Sequence, residues 1–400
     1  MLIALVLLAQ SAGTLDFSDH AELRARVTQG ATPSLGYDVV NQAGARMHVT
    51  DRRWELTLRY SANVTAPDVE TAIDPLLLHV GDTAIAWHDR RVRLSLAESG
   101  TYGRQNAALL QTGATTPDGR PAPVQSLAAP TTIQFAATRT TGTAQIQFDR
   151  QWMARASGEY FLTGGLDDAS RAITPLLRGP RAEAVLSYRA SHVDWVETRA
   201  SALRSEATAS PCGVTINAVN VTTLCAPEVE TAQLIEVWRH AVSRHTEFSL
   251  GAGASGMRVR LRPVAQYSSF LFPAALAAFD YRTGIEGERA YVHGDVQLTP
   301  MLDYVSALAD YRLQATLQLR VPIRRTTLGA VVGAVRSVKS VELQPVTLLR
   351  AEATADFELE KWVSVGAGMR LAWQDQAPVG GFYTVVGFGY VTLRAPTMRF

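Results

Sequence analysis

Residues Ala309–Val321 read ADYRLQATLQLRV, and their character alternates without a break. Ala309, Tyr311, Leu313, Ala315, Leu317, Leu319 and Val321 fall on one side, and Asp310, Arg312, Gln314, Thr316, Gln318 and Arg320 on the other. Successive side chains of a β-strand point to opposite faces, so this segment predicts a strand with one apolar and one polar face. Thirteen residues exceed the usual soluble strand of about 5–6. They suffice for a tilted membrane-spanning strand, which needs roughly 9–11.

The same alternation recurs along the chain. Strands are expected at Ala21–Thr28, Gly36–Val49, Trp54–Asn63, Leu77–Trp87, Val92–Ser99, Thr131–Arg139, Thr143–Arg155, Arg181–Ser191 and Val193–Thr208. They continue at Glu228–Ala241, Thr246–Arg262, Ala274–Thr283, Ala290–Leu298, Val305–Val321, Thr326–Val338, Val346–Leu359, Trp362–Gln374 and Phe382–Arg394. The expectation is all-β: a transmembrane antiparallel β-barrel of about 18 strands, 16 being the lower count. Tight turns are expected at Asp51–Arg53, His88–Arg91, Thr140–Gly142, Ser243–His245, Pro322–Arg325 and Glu360–Lys361. They alternate with longer connections, of which Gly100–Pro130 and Ala156–Pro180 are the longest, the second holding a short helix. Short turns on the periplasmic side and long loops outside are the rhythm of outer-membrane barrels.

The tryptophans mark strand ends. Trp54, Trp87, Trp195 and Trp362 adjoin tight turns, Trp238 lies a few residues from one, and Trp152 and Trp373 adjoin long connections. Aromatic residues favour the two bilayer interfaces, where one end of the ring is wet and the other apolar. Trp362 departs from the pattern, because it shares its phase with Ser364, Gly366 and Gly368.

Composition narrows the partners. The net charge of +1 gives no reason to expect nucleic acid. Lys339 and Lys361 are the only lysines, so nearly all positive charge is arginine, which forms fixed forks with carboxylates. Met1–Ala12 has an apolar core followed by small residues and reads as a secretory signal peptide, leaving 13–400 as a single barrel domain. No other segment holds the 18 apolar residues of a membrane helix. Cys212 and Cys225, in a stretch that reads as a loop, are expected to form one disulfide in an exported protein. A closed loop of this size contributes up to roughly 3 kcal/mol in the chain-entropy model.

With leader, alternating strands, turn rhythm and the terminal Phe400, the sequence resembles Gram-negative outer-membrane β-barrels. Within that class it is similar to the porins of about 18 strands that accompany polysaccharide export in some bacteria. The resemblance implies location in the cell outer membrane, contact with its lipid, and recognition of Phe400 by the barrel-assembly machinery. It also implies a periplasmic polysaccharide-export component as partner.

Barrels of this size enclose water. The expected lumen-lining set is Arg59, Arg312, Gln314, Gln318, Arg320, Glu352, Asp356 and Arg370, with Arg258, Arg260 and Arg262 as a basic ladder on one strand. Such a lumen suits a channel for hydrophilic solutes or an exported polymer such as polysaccharide, and arginine-to-alanine changes in the ladder are expected to shift anion selectivity. The alternatives are a plugged structural or adhesive barrel and, third, a barrel enzyme. An enzyme needs a nucleophile, a base and an orienting partner. His48, His79, His88, His192, His240, His245 and His293 are scattered, and only His293 with Asp295 makes a local pair. No catalytic, metal or cofactor motif is present, and neither metal nor cofactor is expected. GAGASG at Gly251–Gly256 sits in a strand context and predicts a place where the sheet bends or packs closely.

Overall fold

A computed structural model describes residues 12–29, 34–67, 75–106, 132–208, 210–216, 219–262, 267–283, 290–302, 309–340, 346–376 and 380–399. The strands are β1 (Ala12–Gln29), β2 (Ser34–Thr50), β3 (Trp54–Ala66), β4 (Leu76–His88), β5 (Val92–Asn106), β6 (Thr132–Gln147) and β7 (Trp152–Gly165). There follow β8 (Leu177–Arg189), β9 (Asp194–Ala207), β10 (Ser210–Ile216), β11 (Val219–Ala241), β12 (Thr246–Arg262), β13 (Ser268–Thr283) and β14 (Ala290–Leu302). The chain ends with β15 (Ala309–Ile323), β16 (Thr326–Ser340), β17 (Val346–Glu360), β18 (Val363–Gln376), β19 (Gly380–Arg394) and β20 (Met398–Arg399). One short helix, α1 (Asp168–Ile173), precedes β8. Asp167 caps it by accepting from the Ser170 N–H at 2.8 Å, a bond that holds its carboxyl below the usual range.

Eighteen strands form one closed antiparallel ring. Closure is visible at Glu22 of β1, which is opposite Val40 of β2 on one side and Tyr390 of β19 on the other. Closing the sheet leaves no edge with unpaired backbone groups, which is what permits a sheet to cross lipid. β9 pairs directly with β11, so β10 and the start of β11 stand outside the ring as a hairpin, and β20 pairs with the start of β1.

The alternation explains the two faces. Leu313, Leu317 and Leu319 of β15 are exposed on the outside, as are Leu23, Leu35, Leu96, Leu250 and Leu271 on other strands. In water such a belt would drive aggregation, whereas in a bilayer it is the solvated surface.

Several boundaries differ from the sequence expectation. Thr140–Gly142 is no turn: β6 runs through it, paired with both β5 and β7. The turn lies at Phe148–Gln151, where the Asp149 carboxylate accepts from the N–H groups of Gln151 and Trp152 at 2.7 Å each. Small residues and threonines carry no strong period, and the capping aspartate, not the glycine, marks the turn. Gly100–Asn106 and Ala156–Gly165 belong to β5 and β7, so the two long connections are shorter at their strand ends than expected. The cysteine stretch is the β10–β11 hairpin rather than a loop, with Cys212 opposite Thr223 and Cys225 opposite Ser210. The side chains of both cysteines, residues 1–11 of the expected leader 1–12, residues 107–130 of the expected connection Gly100–Pro130, and Phe400 lie outside the described residues.

The short turns, including those after β2, β4, β6, β8, β11, β15 and β17, gather at one end of the barrel, with the start of β1 and the end of β19. This is the periplasmic end in barrels of this kind. Trp152 opens β7 beside a short turn, which corrects its expected position at the opposite end. By strand phase Trp54, Trp87, Trp152, Trp238 and Trp373 point outward. Trp54 is opposite Trp87, and Trp152 packs on Tyr188 with centroids 4.7 Å apart. Trp195 is corrected as well: it shares the inward phase of Glu197, beneath Arg189 at 5.5 Å and Arg239 at 5.9 Å. Trp362 sits in the turn between β17 and β18, so its odd phase carries no side preference.

Candidate functional site

The inward faces divide into an arc of charge and an arc of apolar side chains. On β1, β2, β17 and β18 the inward residues form ion pairs. Glu22 receives Arg24 at 2.6 Å and Arg370 at 3.3 Å, Arg370 reaches Glu352 at 3.2 Å, and Arg26 lies 3.7 Å from Asp38. Tyr390 donates to Asp356, and the Arg370 guanidinium lies 4.1 Å above the Phe388 ring. Lumen charges so paired brace the wall and keep it wettable.

Aromatic rings are built into this arc by glycine. Phe388 and Tyr390 of β19 are opposite Gly368 and Gly366 of β18. A Cβ at Gly366 would sit 2.3 Å from the Tyr390 ring, and one at Gly368 would sit 2.5 Å from Phe388. The missing side chains let both rings lie against the neighbouring strand, stacked with centroids 6.0 Å apart. His20 of β1 continues the row, 4.9 Å from Tyr390.

Toward the short-turn end this arc opens into a cavity of 460 Å³. Its lining includes Tyr291, Gln318, Arg320, Arg324, Arg325, Glu352, Asp356, Glu358, Ser364 and Arg394. Gln318 donates to the Tyr291 hydroxyl at 2.6 Å. Arg324 adopts φ 54°, the left-handed conformation that the tight β15–β16 turn requires.

The loop-end half of β7–β13 is different. Phe161, Leu177, Val229, Met257 and Val259 point inward and are buried, with Leu203, Phe270 and Phe272 packed on them. Ile235, Val237, Ala274 and Leu276 form a second group lower down. Inward apolar residues at full burial need a cover, and the cover is the end of the β14–β15 hairpin. β14 follows β13 only as far as Leu298, opposite Ala275, and then leaves it. Thr299 accepts from the Gln233 side chain of β11 at 3.0 Å, across the inner face of β12 and β13. Leu302 and Ala309 enter the apolar cluster, Tyr311 stacks on Phe272 at 4.3 Å, and its hydroxyl donates to the Pro273 carbonyl. A register shift in the β15–β16 pairing at Tyr311/Arg312 supplies the bend. Within the hairpin end, Arg312 and Asp310 form an ion pair at 3.1 Å with side chains only 2% and 1% exposed, and Ser337 donates to Asp310 at 3.0 Å. Close packing of this region also explains GAGASG: a Cβ at Gly253 would meet the Leu234 carbonyl oxygen at 1.9 Å.

The sequence-predicted site residues are therefore distributed. Arg320, Gln318, Glu352 and Asp356 line the cavity, and Arg370 joins Glu352 just above it. Arg59 points inward toward Asp82 at 3.9 Å. Arg312 and Gln314 point inward but are buried under the hairpin end. Ala309 and Tyr311 are on the apolar side of the alternation yet face no lipid, since the hairpin end has folded in. Arg258 and Arg260 are corrected: they share the phase of the exposed Leu250 and face outward. There they meet Glu230 at 3.2 Å and Glu228, with Tyr267 beneath both guanidinium groups. The side chain of Arg262, which ends β12, is outside the described residues. His293 lies between Asp280 at 2.9 Å and Asp295 at 3.4 Å, so its expected pair is a group of three side chains on the lumen wall.

A closed 18-strand antiparallel barrel with an apolar exterior and a charged interior defines an outer-membrane β-barrel. Residues 24–381 match the EpsX exopolysaccharide export family, and the chain belongs to that family. No curated protein matches the sequence. Among solved structures the chain is similar to the FrpB iron transporter from Neisseria meningitidis, at 8% identity and TM-score 0.51, over 93% of this chain and 64% of that one. It is also similar to the copper transporter OprC (12% identity, TM-score 0.43, 92% of this chain and 64% of that one). A third is Pseudomonas aeruginosa OccK2 (OpdF) in complex with glucuronate (12%, 0.45, 96% and 98%). The chain spans less than two thirds of the length of FrpB and OprC, and at these identities the likeness concerns the fold alone.

Proposed function

We propose that the chain is an outer-membrane conduit for an exported polysaccharide, wide enough in its open form to pass other hydrophilic solutes. The observation that carries the reading is the cavity at the short-turn end. A wall apolar outside keeps an arginine-rich, water-facing mouth inside, on the side from which an exported polymer arrives. Membership of an exopolysaccharide export family supports the polymer. Arg59, Gln318, Arg320, Glu352, Asp356 and Arg370 line the path, and a periplasmic export component delivers the chain to it. The hairpin end of β14–β15 is the constriction, and its apolar seat holds it against the inner face of β12 and β13 until the polymer arrives.

The test is genetic and electrical. A strain lacking the protein is expected to lose polysaccharide from its surface and regain it on complementation, and the purified protein is expected to conduct in planar bilayers. Unchanged surface polysaccharide together with absent conductance contradicts the proposal. The filled loop-end half favours one second reading, a plugged structural or adhesive barrel. Conductance that appears only after deletion of residues 107–131 supports that reading instead.

A further inference from the structure

The conduit reading leaves the chemistry of its cargo open, and the short-turn cavity bears on it. Arginines deep in the charged arc are matched: Arg24, Arg26 and Arg370 each have a carboxylate within ion-pair distance. The arginines at the mouth are not. Arg320, Arg324, Arg325 and Arg394 line the cavity, all are exposed, and none forms an ion pair among the described residues. Arg325 gives one N–H to the Leu359 carbonyl at 3.4 Å, and its remaining donors are free of such contacts. Three carboxylates share the cavity; Glu352 is already paired with Arg370, so the four arginines face only the two charges of Asp356 and Glu358. Four guanidinium forks therefore face a water-filled space with a net positive field.

A second feature adjoins it. Asp356 and Glu352 connect the cavity to the Tyr390–Phe388 row, whose rings lie against the wall because Gly366 and Gly368 leave room. A sugar ring has a C–H face that stacks on aromatic rings and an equatorial rim that takes forked hydrogen bonds. A carboxylated sugar adds the planar acid that arginine binds bidentately. Flat aromatics on a charged wall, next to unmatched arginines, present both halves of that recognition.

We infer that this cavity is a binding vestibule for an anionic, carboxylate-bearing glycan, held by Arg320, Arg324, Arg325 and Arg394 and stacked at Tyr390. This rests on the conduit reading for its biological sense, but the site binds or fails to bind independently of conduction. The direct test is calorimetry on the full-length barrel in detergent, titrated with hexagalacturonate or with neutral maltohexaose at low salt. The acidic oligomer is expected to bind at least about tenfold tighter, a preference that fades at high salt. The double change Arg320→Gln/Arg394→Gln is expected to abolish the preference, Arg320→Lys/Arg394→Lys to restore much of it, and Tyr390→Ala to weaken binding of both oligomers alike. Heat-modifiable gel mobility verifies that each variant is folded. Equal affinity for both oligomers, no binding of either, or a preference untouched by the arginine changes overturns the inference. Failed conductance and export with acid-selective binding intact removes the conduit and leaves the site.

Discussion

The mouth at the short turns and the loop-end half above β7–β13 are lined by the same kind of strand, yet they solve opposite problems. At the mouth, most inward residues are polar and meet water, so the wall needs no cover. In the loop-end half Val229, Met257, Phe161 and Leu177 occupy the inward positions, and an apolar wall around water is unstable. The chain resolves this by taking β14 off β13 after Leu298 and laying the hairpin end across the wall. The difference teaches that an inward position is not by itself a wet one, and that the apolar half of a lumen is where a moving part has something to rest on.

The largest effect is expected from charging the seat of the hairpin. Leu302→Asp places a carboxylate in the buried cluster, at a cost of several kcal/mol, on the order of 3 or more. Released hairpins should raise single-channel conductance several-fold, whereas unchanged conductance means the hairpin end does not narrow the path. Next comes Asp310→Ala, which removes a carboxylate from the buried Arg312. Breaking such a pair costs up to about 3–5 kcal/mol, so the thermal transition followed by circular dichroism should fall markedly. The double change Asp310→Ala/Arg312→Leu should recover much of the loss; if it does not, the pair is not the source.

At the mouth, Arg320→Gln and Arg394→Gln should move reversal potentials in a salt gradient toward lower anion preference. Stability should change by no more than about 0.5 kcal/mol, as for exposed positions generally. The smallest effect is expected at Arg258→Ala and Arg260→Ala. Their side chains face outward against Glu230 and Glu228, so ion selectivity should stay at the wild-type value. A selectivity shift there would put those arginines back in the path.

Much of the fold was legible in the sequence because lipid and water impose a two-residue period that few other structures keep over eighteen strands. ADYRLQATLQLRV gives its strand and its two faces correctly from Arg312 onward. It misleads at Ala309–Tyr311, because alternation states which residues share a face but not what that face meets once a hairpin leaves the ring. Arg258 and Arg260 fail for a related reason: at a strand end polar residues are tolerated outside, at head-group height, so polarity stops marking the lumen. The aromatic row of His20, Tyr390 and Phe388 went unread. Its signal, FGY in one strand against GAG in the next, appears only when the register between β18 and β19 is known. The apolar seat was invisible because its members come from β7 to β13, and no local pattern joins them.

The most direct measurement is conductance with the hairpin tethered. Gln233 and Thr299 touch over the inner face of β12 and β13, and Gln233→Cys/Thr299→Cys, joined by a short disulfide-containing bismaleimide in a background with Cys212 and Cys225 changed to serine, links β11 to β14. The account predicts low conductance while the bridge is intact and a rise when it is cleaved by reduction. A cross-link that forms yet leaves conductance equal in both states, or a pair that never cross-links, contradicts it.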